Sequence, residues 1–282
     1  PGGVAVGSSG KVYFSSMANA VIRLVEKSQV NTVAGMGLNG FADGPALSAK
    51  FNWPQGIDAD GSGGIVVADY NNSRVRLFKS AKVTTVAAGF KNPTDVSVDA
   101  AGKIYVADTH SHTIKVIDTA GVVTTLAGSG QSGFADGSAK SAKFSYPQGV
   151  LAAGGGKVDV VDRGNARIRL ISAGKVSTFA GGSVQGCKDG PTGSALFSYP
   201  TDVALGKAGR LYVADPGCST IRAIDKGKVS TVAGDGTKGF ADGPLLKAKF
   251  HSPMRLAVAA IGKIYVADRE NNRIRVISGA IP

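Results

Sequence analysis

Six segments of the chain, opening at Pro1, Pro54, Pro93, Pro147, Pro200 and Pro253, follow one consensus, and a fixed internal period constrains the fold more than any local motif does. Each segment runs from its proline through a short apolar alternation and a Gly-rich turn. A run such as Lys103-Ile-Tyr-Val-Ala-Asp108 follows, then a four-residue turn and a basic alternation such as Thr113-Ile-Lys-Val-Ile117. The proline spacings are 53, 39, 54, 53 and 53, so the second unit alone lacks a stretch of about 14 residues. The units fill residues 1–282 as one repeat domain.

Within each unit the runs are short and alternating, with turn residues between them, as in Asp60-Gly61-Ser62-Gly63 of unit two. That pattern predicts antiparallel strands joined by hairpins. Five units carry a fourth run, for example Val83-Thr-Thr-Val-Ala87 and Val229-Ser-Thr-Val-Ala233. Four strands per unit, six times over, predict an all-β propeller of six four-stranded blades. A sandwich or barrel explains many short strands but not six copies of one consensus. The last unit ends at Ser278-Gly-Ala-Ile-Pro282, which leaves blade six incomplete and its edge unpaired, and makes closure the weakest joint. This implies a fragment of a larger protein, or poor closure by those five residues.

Composition narrows the class. The chain has 40 Gly and 18% charged residues, which excludes coiled-coil, collagen-like and disordered chains. Its longest wholly apolar run, Leu256 to Ile261, is far too short to span a bilayer. With 32 Lys+Arg against 20 Asp+Glu the net charge is +12, which makes nucleic acid a competing partner.

The pattern of Pro-x-Gly-Ile/Val, Gly-Lys-Ile-Tyr-Val-Ala-Asp and Asn-x-Arg-Ile-Arg resembles the NHL repeat family across the whole chain, clearest at Tyr105–Asp108, Tyr212–Asp215 and Tyr265–Asp268. The resemblance implies a six-bladed propeller. Unit one departs, with Ser16 in place of the Asp and Val21 where units two, four and six have Arg74, Arg167 and Arg273. The paired departure predicts that Asp69, Asp108, Asp162, Asp215 and Asp268 accept turn N–H groups and face an Arg at the start of the third strand, as scaffold rather than as a catalytic ring. A basic residue also recurs at Arg23, Arg76, Lys115, Arg169, Arg222 and Arg275.

Four connections between blades carry a longer insertion, Gly40–Phe51, Gly133–Phe144, Gly186–Phe197 and Gly239–Phe250, each with an Asp-Gly turn signal and a terminal Phe suited to burial after a single helical turn. All four are expected on one face, where function is expected too, since loops on a rigid scaffold usually carry it. Trp53, Tyr146 and Tyr199 follow the insertions and are expected as an aromatic arc at the channel mouth. Gln55, Thr94, Asp95, Gln148, Thr201, Asp202, Met254 and Arg255 vary between units at the start of the innermost strands, as recognition of an individual ligand requires.

The two cysteines, Cys187 and Cys218, both depart from the consensus on one blade and one face, which predicts a disulfide and an oxidising, extracytoplasmic compartment; free thiols in the cytoplasm are the alternative. No catalytic motif is legible. The family's amidating lyases use several channel His, but His110 and His112 sit on what reads as an outer turn of unit three and His251 lies on unit six. Lactonase-type propellers use a channel Glu or His, whereas Glu26 and Glu270 lie off the innermost strands. The reading is a non-enzymatic, monomeric domain of a larger protein that binds a protein, peptide or glycan on its loop-bearing face, with no cofactor. Two alternatives stay open. One is a channel enzyme acting through Asp95, Asp202 and Arg255, the carboxylates holding a cation such as calcium. The other is single-stranded RNA binding through Lys50, Lys140, Lys143, Lys188, Lys238, Lys247 and Lys249.

Overall fold

The computed structural model describes residues 1–27 and 29–279. The alternating runs form six antiparallel sheets around an axis, one per repeat. Blade two is representative, with strands Pro54–Ala59, Ile65–Asp69, Arg74–Lys79 and Lys82–Ala88 pairing in order from the axis outward. Blades one and three have the expected four strands. Blades two, four and five gain a fifth, two-residue strand, Gly44–Pro45, Gly137–Ser138 or Gly190–Pro191, on the outer edge. Among the described residues blade six has three strands, Pro253–Val258, Ile264–Asp268 and Arg273–Ile277. Of the segment considered for its closure, Ala280–Pro282 lie outside the described residues.

Those extra strands belong to the insertions. Three of the four insertions run along the outermost strand of the blade that follows, so their backbone groups cover a sheet edge that would otherwise be open. The terminal Phe51, Phe144, Phe197 and Phe250 are fully buried, as expected, each in the apolar layer between two adjacent blades. Burying one such ring contributes roughly 1.5–3 kcal/mol. Between blades six and one the buried apolar set among the described residues shrinks to Val4, Val12 and Ala267.

The recurring Asp and Arg explain how the insertions are held. Arg76 is fully buried and donates from Nη1 to Asp69 Oδ2 (2.7 Å), from Nη2 to Asp43 Oδ1 (2.6 Å), and to the carbonyls of Lys50 and Ala42. Asp69 Oδ1 accepts the Asn52 N–H, and Asp43 Oδ2 accepts the Thr85 N–H on the outermost strand. Arg169, Arg222 and Arg275 repeat the pairing with Asp162 and Asp136, Asp215 and Asp189, and Asp268 and Asp242. The partner of the scaffold Asp is therefore this mid-strand Arg, not Arg74, Arg167 or Arg273. Those three stack instead on the first Phe of the insertion, Phe41, Phe134 and Phe240, at 4.0 Å. Blade three lacks an insertion, and there Lys115 pairs with Asp108 alone at 2.6 Å. In blade one, where Ser16 replaces the Asp, Arg23 Nε is buried without a partner.

Removing one partner of such a buried network strands the remaining charges. Arg169→Leu is expected to cost about 3–5 kcal/mol in denaturant unfolding, whereas the exposed Arg273→Leu should cost well under half of that. A second expectation concerns Asp159, which occupies the strand position of Tyr105, Tyr212 and Tyr265 and is buried. Burial raises its pKa to about 6, against a small opposing effect of Lys157. A pKa raised on folding makes its stabilising contribution below the unfolded value and loses it as pH rises through the folded one. Asp159→Asn should therefore stabilise the protein at pH 8 by up to about 3 kcal/mol and have little effect at pH 4, read by unfolding at both pH values.

Candidate functional site

The innermost strands bring one variable position per blade together at the axis: Gly3, Gly56, Asp95, Gly149, Asp202 and Arg255. Neighbouring strands approach closely there. A Cβ on Gly56 would lie 2.7 Å from the Asp95 Cα, so a side chain is excluded. Asp95 Oδ2 accepts the Val150 N–H (3.0 Å) and Asp202 Oδ2 the Leu256 N–H (2.7 Å), each tying its strand to the next blade. Arg255 crosses the axis. Its Nη1 donates to the Thr201 carbonyl (2.8 Å) and lies 3.4 Å from both Asp95 and Asp202; its Nη2 donates to the carbonyls of Thr94 (2.7 Å) and Gln148 (3.0 Å). The guanidinium stands where a cation shared by the two carboxylates would stand. All three side chains are buried, and burial raises both carboxyl pKa values against the pull of Arg255.

This latch divides the channel. Below it lies a cavity of about 200 Å³ lined by Asp58, Ser97 and apolar strand residues. Asp58 Oδ2 accepts the Val98 N–H, and burial raises its pKa to about 6. Above the latch the mouth opens as a cup of about 450 Å³. Gln55, Gln148, Thr94, Thr201 and Met254 line it from the innermost strands, Tyr146, Tyr199 and Ser252 from the blade connections, and Tyr70, Thr109, His110, Arg163, Pro216, Gly217 and Arg269 from the turns between second and third strands. Lys238 closes the rim.

The rings form a chain along one side. Tyr70 meets His110 edge to face at 6.1 Å, His110 meets Tyr146 at 5.8 Å, and His112 packs on Tyr146 at 4.7 Å. His112 Nδ1 accepts the Tyr146 N–H, so its proton sits on Nε2, in keeping with a pKa lowered by burial and by His110. Across the cup the Arg163 guanidinium lies over the Tyr199 ring at 5.1 Å. Two polar atoms of the cup, Gln148 Oε1 and Arg163 Nε, are buried without a hydrogen-bond partner.

The structure thus sorts the residues expected at the site. Gln55, Tyr146, Gln148, Tyr199 and Met254 share the cup, while Asp95, Asp202 and Arg255 lie in the latch. Trp53 is half-exposed and does not line the mouth; Tyr70, in the turn of the same blade, holds the corresponding place. His110 lines the cup rather than an outer rim, because the turns after the scaffold Asp bend toward the axis. Of the seven insertion and connection lysines only Lys238 reaches it. Tyr70, Thr109, Arg163, Pro216 and Arg269 are not among the residues expected at the site from sequence; each directly follows the recurring scaffold Asp, and variation at that position is the signal that marks them.

One wall is pinned covalently. Cys187 and Cys218 form the expected disulfide, with Cα atoms 5.6 Å apart. In other blades Asn72, Asn165 and Asn271 donate to the carbonyls of Gly40, Gly133 and Gly239. Blade five has Cys218 at that position and Cys187 at the position of Phe41, so the bridge replaces both the amide bond and the Arg–Phe stack. Cys218 adjoins the cup residues Pro216 and Gly217. Cys187→Ser/Cys218→Ser is expected to lower stability by about 3–4 kcal/mol. Cys187→Phe/Cys218→Asn/Thr220→Arg, which rebuilds the arrangement of blade two, should recover part of that loss in the same unfolding assay.

Comparisons with known proteins place this geometry. Residues 51–78 and 90–117 match the NHL repeat. Protein SUPPRESSOR OF QUENCHING 1, chloroplastic, of Arabidopsis thaliana is 34% identical over 142 residues, which is 49% of this chain and 13% of that protein. The chain therefore spans only a small part of that curated relative's length. An auxiliary nutrient binding protein from Bacteroides ovatus superposes with a TM-score of 0.72 at 19% identity, over 95% of this chain and 66% of that one. A virginiamycin B lyase from Staphylococcus aureus gives 0.60 at 15% identity, over 93% of this chain and 75% of its own. At such identities these two likenesses speak to the fold alone. Two of the six repeat units match the NHL repeat, and with all six arranged as blades around an axis the chain is a six-bladed β-propeller that carries NHL repeats.

Proposed function

We propose that the chain is a non-enzymatic interaction module that holds a protein partner, through a peptide or glycan segment, in the cup at the channel mouth. The observation that carries this reading is the pair of buried, unpartnered polar atoms in the cup, Gln148 Oε1 and Arg163 Nε, beside the exposed rings of Tyr146 and Tyr199. A buried polar group without a partner costs about 1–3 kcal/mol, which a ligand able to satisfy it relieves. Aromatic groups on a rigid rim add contact area at low entropic cost. Chemistry in the channel is the weaker reading. Its acid–base candidates, Asp95 and Asp202, are engaged by backbone N–H groups and by Arg255 below the cup, although the fold is shared with a lyase. The disulfide supports an oxidising, extracytoplasmic setting, which thiol counting on protein from its native source would test.

The cup reading is tested on peptide and glycan arrays with wild-type protein and with Tyr146→Ala/Tyr199→Ala. The expected outcome is a set of ligands whose affinity falls at least about tenfold in the variant at unchanged thermal stability. Ligands that bind the variant as well as the wild type would overturn it.

A further inference from the structure

The cup has a charge signature. Arg163, Lys238 and Arg269 line it, and among the described residues no Asp or Glu does. Arg269 is partly neutralised by Glu270, at 3.5 Å on the half-exposed rim. Arg163 has no ion pair among the described residues. Its stacking on Tyr199 occupies the guanidinium face and leaves the in-plane N–H edge, the edge that recognises a carboxylate. The threonine hydroxyls of the cup are already engaged: Thr94 Oγ1 donates to the Gln148 carbonyl, Thr109 Oγ1 to that of Pro147 and Thr201 Oγ1 to that of Met254. The buried polar atoms of the cup that lack a partner are Nε on the cationic edge of Arg163 and a neutral acceptor, Gln148 Oε1.

A ligand that satisfies both carries an anion and an N–H donor. We propose that the cup takes an acidic peptide segment, its side-chain carboxylate on Arg163 and a backbone N–H on Gln148 Oε1, an assignment that rests on the cup being the binding surface. A nucleic-acid strand fits less well. Its phosphates would need a basic track leading away from the cup, and of the seven insertion and connection lysines only Lys238 lines it. Asp43, Asp136, Asp189 and Asp242 also lie in those insertions.

The test measures fluorescence anisotropy at 150 mM salt, about the physiological ionic strength, with four labelled probes: hexaglutamate, hexaglutamine, an oligogalacturonate and an oligouridylate. Hexaglutamate is expected to bind at least about tenfold tighter than hexaglutamine. Arg163→Gln should erase that preference with unchanged thermal stability. Lys103→Gln/Lys263→Gln, at the hairpins on the opposite end of the channel, should leave it within about twofold, which separates the cup from general attraction to a basic protein. Tighter binding of the uronate or the uridylate than of hexaglutamate overturns the peptide assignment. Equal binding of the two peptides that still disappears in Tyr146→Ala/Tyr199→Ala overturns the carboxylate assignment and leaves the cup as the binding surface. Peptide binding that survives both Arg163→Gln and the tyrosine substitutions overturns both readings.

Discussion

A guanidinium buried between two carboxylates is the interaction on which the rest of this propeller depends. A planar fork with five donors can serve two acids and two carbonyls at once, which an ammonium cannot do in fixed geometry. Arg76 uses that capacity to join the end of one strand, through Asp69, to the insertion of the preceding connection, through Asp43 and the carbonyls of Ala42 and Lys50. The fixed insertion then covers the outermost strand and delivers Phe51 to the layer between blades. Blade three supplies the natural contrast. Without an insertion there is no second acid, and a lysine suffices.

The same fixed frame frees other positions to vary. Once Asp69, Asp162, Asp215 and Asp268 are committed to the scaffold, the residue that follows each of them lines the cup and is free to vary: Tyr70, Arg163, Pro216, Arg269. The connections behave alike. Tyr146, Tyr199 and Ser252 share a left-handed backbone conformation, with φ of 48°, 53° and 56°, so strand entry fixes their direction while the side chain changes. A single wall of repeated geometry thus presents rings on one side, a stacked cation on another and small residues beside the disulfide.

The fold was legible because its signal is periodic. Strand runs, turn chemistry and the buried terminal Phe follow from alternation and spacing. The cysteine pair was legible because two departures from a consensus coincide on one blade. The site was legible only in part, since one-dimensional position does not say which side of a turn faces the axis. His110 reads as a rim residue yet lines the cup, and Trp53 reads as part of an arc that Tyr70 completes instead. The pairing of Asp69 with Arg76 rather than Arg74 was missed for a similar reason: the two arginines, two residues apart, share one face of the strand and both lie over Phe41, so alternation does not say which of them reaches the Asp.

Arg255 has a consequence beyond fastening blades. By lying across the axis from blade six to the carbonyls of blades three, four and five, it turns a tunnel into a blind well. A molecule that enters at the cup leaves by the same portal, so arrival and departure share one route and nothing passes through to the far end. The two ends of the propeller are then chemically independent. One is available for recognition while the other can be tethered or covered without touching what is bound.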